Sequence, residues 1–109
     1  MKLTRYEKNP ILSPNSKNDW ENLVTTNPCA WYEEDSKQVK MIYRAAGQDA
    51  EHIVHLGLAV SKDGYHFERV SEEQLLSPIP NTIDGGCLED PRIVKFGEWY
   101  YITAATRPF

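Results

Sequence analysis

Residues 84 to 96 read DGGCLEDPRIVKF and set two acids and an arginine around one proline: Glu89, Asp90, Pro91 and Arg92. An acid placed at the start of a strand, just before a proline, is held in a defined direction, as a proton donor or a hydroxyl-binding carboxylate must be. Because proline pushes the preceding residue toward extended backbone, Asp90 is expected to be extended. A second pair of the same kind, Asn27-Pro28, stands in NPCAWY. Arg44, in MIYRAA, is a charge among apolar neighbours, and its planar fork suits a carboxylate or a pair of vicinal oxygens. Two readings of these residues stand side by side. In one, Asn27 and Asp90 make local turn hydrogen bonds and Arg44 pairs structurally with Glu89 or Asp90. In the other, Asn27, Arg44 and Asp90 face a ligand. Strand alternation puts Glu89 on the opposite face from Asp90, as a supporting acid.

Other chemistries find few residues to carry them. There is no GxxxxGK[ST] phosphate loop and no GxSxG elbow. His52 falls near a strand start while His55 and His66 belong to separate strands, so no metal site is expected. Cys29 and Cys87 lack CxxC spacing and read as small apolar residues in a reducing compartment. A net charge of −4 without a basic stripe argues against nucleic acid as a partner. No apolar run approaches the roughly 20 residues of a membrane span, and the start MKLTRYEKNP has no apolar signal core, so the expectation is a cytoplasmic protein that does not engage a membrane.

The elements that must hold these side chains read as strands. CAWYEE, VKMIYRAA, IVHLGLAVS, HFERV, RIVKF and WYYITAAT are rich in β-branched and aromatic residues and are separated by turn formers at Asp35-Ser36, Gly47, Asp63-Gly64 and Gly97. SKDGYHF is hairpin chemistry, with Gly64 taking a positive φ. Only SEEQLLS could make a helical turn. The fold class is therefore all-β and antiparallel, with Trp31, Tyr43, Leu56, Leu58, Trp99 and Tyr101 expected on packed faces. NPCAWYEEDSKQVKMIYRAAG and DPRIVKFGEWYYITAAT resemble one another at a period of about 60 residues, the mark of a repeat. The first unit would hold strands near 28–34, 38–46, 53–61 and 66–70, and four antiparallel strands per repeat is the make-up of a β-propeller blade. The chain would then comprise an N-terminal extension (1–26), a first blade (27–80) and the start of a second (81–109), about one and a half blades.

NPILSP, TTNPCAWY, MIYRAA, GLAVSKDGYHFERV and above all GGCLEDPRI, in this order, resemble the N-terminal region of glycoside hydrolase family 130, the β-mannoside phosphorylases. The resemblance covers essentially the whole chain but about the first third of a family member. It implies a five-bladed propeller with a β-mannoside oligosaccharide in its axial funnel. It further implies inverting phosphorolysis to α-mannose 1-phosphate, with no cofactor and with inorganic phosphate as co-substrate; a minority of members are β-mannosidases that use water. By the same resemblance Asp90 is the general acid, passing its proton through the 3-hydroxyl of the mannosyl unit. Asn27 and Arg44 bind that unit, and Glu89 and Arg92 support the site.

Inverting glycosidases need two carboxyl groups, but phosphate is already anionic, so one acid can suffice. Asp90 must then have its pKa raised by enclosure and nearby negative charge, against Arg44 and Arg92. In the family the phosphate-holding residues lie in later blades, and this chain ends at TRPF. Half of an active site is therefore expected, inactive by itself and completed by further blades or by self-association. A non-catalytic carbohydrate-binding piece and a purely structural unit are the alternatives.

Overall fold

The computed structural model describes residues 1–108. Six strands follow one another, β1 (Val24–Glu33), β2 (Gln38–Ala46), β3 (Val54–Ser61), β4 (Glu68–Arg69), β5 (Cys87–Phe96) and β6 (Trp99–Arg107), with no helix among the described residues. The first four form an antiparallel meander in chain order. The β5–β6 hairpin is joined to it by a single parallel bridge, Val54 to Cys87. The sheet is open, with β1 and β6 as its end strands. Among the described residues no helix is long and apolar enough to cross a membrane.

Packing is concentrated on β2, the strand covered on both faces. Met41, Ile42, Tyr43, Ala45 and Ala46 are all buried there, with Leu56 and Ala59 beside them on β3. Leu12 and Trp20 from the irregular N-terminal segment, and Phe67, close over Met41, Tyr43, Ala45 and Ala59. Gly57 lies directly opposite Tyr43 in the ladder, and a Cβ there would stand 2.3 Å from Tyr43 Cζ and 2.8 Å from Trp20 Cη2. The missing side chain is the space into which the tyrosine ring folds, with the Trp20 ring stacked at 6.2 Å.

Beneath this aromatic pair sits a carboxylate that sequence patterning does not reveal. Glu21 is 0% exposed and accepts hydrogen bonds from Asn18 Nδ2 (2.6 Å), Tyr43 Oη (2.9 Å) and Arg69 Nε (2.8 Å). Arg69 also donates through NH2 to the Ser13 carbonyl at 2.6 Å. A buried charge is tolerable only when paired and hydrogen-bonded in this way. The network ties the N-terminal segment, β2 and β4 into one body. Burial, reinforced by the Glu21 carboxylate, pushes the Tyr43 phenol well above its ordinary value.

Three sequence expectations need correction. The strand near 66–70 shrinks to Glu68–Arg69 because the Asp63 carboxylate accepts the Tyr65 and His66 N–H groups at 2.8 Å each, committing them to the turn. SEEQLLS forms no helical turn; the Leu75 and Leu76 N–H groups both donate to the Leu56 carbonyl, so this segment runs as an irregular edge along β3. Trp99 and Tyr101 are not packed: they keep 73% and 54% exposure. The hairpin turns its other face to β1, where Tyr100 donates to Glu33 and lies 5.9 Å from the Trp31 ring.

These contrasts set opposite outcomes for two substitutions. Gly57→Ala drives a methyl group into a ring with no room to move and should cost about 1–3 kcal/mol. Trp99→Ala should change stability by less than about 0.5 kcal/mol. Urea unfolding of both variants checks the pair; an undisturbed Gly57→Ala protein would mean that Tyr43 does not fill the space above Gly57.

Candidate functional site

The β1–β2 and β5–β6 ladders carry the same defect. On β1 the pairing steps from Thr26–Arg44 to Cys29–Ile42, and on β5 from Glu89–Ala105 to Arg92–Thr103. In each case two residues, Asn27-Pro28 or Asp90-Pro91, oppose a single residue of the partner strand, which is a β-bulge. The residues before proline are not extended as expected: Asn27 has φ 44° and Asp90 has φ 50°. Proline supplies no N–H for the ladder, so the rung is lost in any case. Asn and Asp are the side chains that best tolerate a positive φ at such a break. The repeat read in the sequence is thus present in the backbone as two bulges 63 residues apart.

The bulges turn their side chains onto one another. Asn27 Nδ2 donates to Asp90 Oδ1 at 2.7 Å, while the Thr26 hydroxyl donates to Asn27 Oδ1 at 3.1 Å and fixes the amide. Arg44 NH1, from β2, donates to the same Asp90 Oδ1 at 3.1 Å. Sequence-predicted Asn27, Arg44 and Asp90 therefore meet around one oxygen. Asp90 Oδ2 has no hydrogen-bond partner among the described residues, and the side chain is 44% exposed. One carboxylate oxygen is anchored and the other is open.

Glu89 departs from expectation. Its Oε2 lies 3.2 Å from Arg44 NH1, on the same side as Asp90 rather than the opposite face. The bulge is the reason, because an inserted residue cancels the alternation on which that expectation rests. Arg92 does not reach the carboxylates; its NH1 donates to the Pro91 carbonyl at 2.7 Å and more weakly to that of Asp90 at 3.5 Å. Arg107, not singled out in the sequence, stands opposite Cys87 in the ladder and donates to its Sγ at 3.1 Å. Only the strand register brings it to this end.

Electrostatically, the Asn27 amide first, and then the Arg44 guanidinium, hold the Asp90 carboxyl below its ordinary value. The rise that proton donation requires is absent in this arrangement. His55, whose Nδ1 is 3.1 Å from Ser77 Oγ, is pushed down by burial. His66 lies outside the strands, 2.7 Å from Asp63 Oδ2. Among the described residues no group of three His, Cys, Asp or Glu side chains is placed to hold a metal ion. Cys29 and Cys87 are unpaired thiols.

A carboxylate with one open oxygen, a guanidinium and an oriented amide form a set suited to sugar hydroxyls. Comparison with known proteins places the chain among carbohydrate-active relatives. The family model of glycoside hydrolase family 130, described as beta-1,4-mannooligosaccharide phosphorylase, matches residues 2–108. Two curated proteins of Thermoanaerobacter sp. (strain X514) are similar. The 1,2-beta-oligomannan phosphorylase is 36% identical over 107 residues, covering 94% of this chain and 35% of its own length. The beta-1,2-mannobiose phosphorylase is 33% identical over 112 residues, covering 93% and 36%. A Parabacteroides distasonis crystal structure, solved as a candidate glycoside hydrolase, superposes with a TM-score of 0.77 at 26% identity over 94% of this chain and 34% of that one. A glycosyl hydrolase of Bacteroides ovatus, at 23% identity and TM-score 0.73 over 97% and 38%, shares the fold. The chain spans about a third of the length of the curated relatives it matches.

The low Asp90 pKa has a consequence for stability. A carboxyl whose folded value lies below its unfolded value, about 3.9 for Asp, adds stability that is present above that value and lost as pH falls through the folded one. Asp90→Asn should therefore lose less stability than the parent as pH falls below about 4. Urea unfolding across this range is the check. An unchanged acid limb would show that Asn27 and Arg44 do not hold the carboxylate.

Proposed function

Because the chain belongs to glycoside hydrolase family 130, we propose that Asn27, Arg44 and Asp90 form the mannosyl-binding side of a β-mannoside phosphorylase site, with Asp90 the general acid. The observation that carries this reading is the meeting of the two bulges, which leaves Asp90 Oδ2 open beside Arg44 and Asn27. On this reading β1–β4 are the first blade (27–80) of a five-bladed propeller and β5–β6 open the second (81–109), with residues 1–26 as an extension packed beside them. The bare face of Val94, Phe96, Trp99 and Tyr101 supports the place of a neighbouring blade. The rest of the propeller is supplied by further blades or by another chain. Two unpaired thiols support the cytoplasm as its compartment.

The chemistry is the one that the family resemblance implies, set on this geometry. The mannosyl hydroxyls take up the N–H groups of Arg44 and Asn27. Asp90, once protonated, passes its proton from Oδ2 through the sugar 3-hydroxyl to the leaving glycosidic oxygen. Phosphate attacks the anomeric carbon from the opposite side as the C–O bond breaks, giving α-mannose 1-phosphate and the shortened glycan. Asp90 begins strongly ionised, so substrate binding must do the lifting. Water leaves, the donors on Oδ1 turn to the sugar, and the phosphate dianion comes near; each of these raises a carboxyl pKa.

The family description names a 1,4 linkage and the curated relatives a 1,2 linkage, so both disaccharides are the substrates to assay. Joined to the remaining two-thirds of the 1,2-beta-oligomannan phosphorylase, this chain should release α-mannose 1-phosphate from β-1,2- or β-1,4-mannobiose and phosphate. Asp90→Asn in the same fusion should lower turnover by about 10²–10⁴-fold with little change in KM. A fully active Asp90→Asn fusion would remove Asp90 from the acid role, and release of free mannose with no mannose 1-phosphate would assign a β-mannosidase.

A further inference from the structure

We propose that Glu89 is a positioning residue that holds the Arg44 guanidinium between two carboxylates and so keeps it from closing on Asp90 alone. The inference rests on the reading of Asp90 as the acid. Its basis is one nitrogen: Arg44 NH1 lies 3.1 Å from Asp90 Oδ1 and 3.2 Å from Glu89 Oε2. An arginine beside a single carboxylate ordinarily makes two parallel hydrogen bonds to it. Here Asp90 receives one, and Glu89 pairs electrostatically with the same nitrogen.

Every charged neighbour fits this division. Asn27 from β1 and Arg44 from β2 contact Asp90, and Arg92 from β5 is occupied with backbone carbonyls. Arg107 from β6 feels Glu89 at longer range, with its guanidinium on Cys87 Sγ, so it does not replace Arg44 as the ion-pair partner of Glu89. Without Glu89 the Arg44 fork is free to turn onto Asp90. That would bind the catalytic proton less tightly and withdraw Arg44 from the sugar hydroxyls. Glu89 thus acts on Asp90 through Arg44, and it can do so only because the bulge brings it to the same side.

Site-resolved carboxyl NMR titration of the 109-residue chain tests this without sugar or phosphate. Glu89→Asp keeps the negative charge but draws it back by one methylene, away from NH1. The proton affinity of Asp90 should fall by about three-fold or more in Glu89→Asp and in Glu89→Gln. In an Arg44→Met background the effect of Glu89→Asp should vanish. An unshifted Asp90 in Glu89→Asp, or a shift that persists without Arg44, overturns the proposal; if Glu89→Asp does not fold, Glu89→Gln is read by difference, because loss of the charge alone lowers the Asp90 proton affinity in both backgrounds, and an equal shift with and without Arg44 overturns the proposal. Failure of the fusion to release mannose 1-phosphate would bear on the proposed function and leave this result standing.

Discussion

A proline cannot donate to a β ladder, and in this chain two long strands each meet a proline at their middle. Both strands answer in the same way, with two residues set against one and a positive φ at the residue before the proline. Everything at the candidate site depends on where those defects fall. Had the ladders run unbroken, Asn27 and Asp90 would stand on regular strand faces, and Glu89 would look away. Because both are broken at equivalent points, an amide and a carboxylate from separate hairpins come within 2.7 Å. Arg44, paired with Thr26 just before the first bulge, reaches both acids of the second.

The hairpins are held at their other ends as well. Glu33, at the end of β1, takes the Lys40 ammonium at 2.8 Å and the Tyr100 hydroxyl of β6, with Trp31 against the Tyr100 ring. Such partly buried contacts, still open to solvent at one side, contribute modestly to stability. The Glu21–Arg69 pair is of another kind, because its acid is fully buried while the arginine keeps 20% exposure. Removing Arg69 leaves the Glu21 charge buried without its counter-charge, at a cost of about 3–5 kcal/mol. The N-terminal segment is therefore part of the core, although it contains no regular element. Its tryptophan and glutamate hold Tyr43 and Arg69, while the next residue of β2, Arg44, points to the site. Tyr43 and Arg44, adjacent in sequence, point to opposite faces of one strand.

Much of this was legible in the residues. The strand runs and their turns follow from β-branched and aromatic patterning, and Gly64 takes the positive φ expected of the Asp-Gly turn. The pairing of Asn27-Pro28 with Asp90-Pro91 was visible as a repeat, and Arg44 as a charge needing an acceptor. What could not be read depends on long-range register. Strand alternation misplaced Glu89 because nothing local announces that an inserted residue will reset the faces. Trp99 and Tyr101 were assigned to packed faces by residue type, yet burial is decided by which side of the hairpin finds a neighbour. Glu21 gave no signal at all: an acid in a polar loop looks solvated until Arg69, 48 positions later, arrives beside it.

The central claim is that the two bulges place Asn27 directly on the Asp90 carboxylate, and one substitution asks this without any ligand. Asn27→Asp would set a second carboxylate where the amide now donates, and two carboxyl groups so close cannot both ionise freely. Carboxyl NMR titration should then show the pair releasing its protons in two separated steps, one of them well above the ordinary Asp range. Two independent titrations, both near or below the ordinary Asp value of about 3.9, would show that the two side chains do not meet.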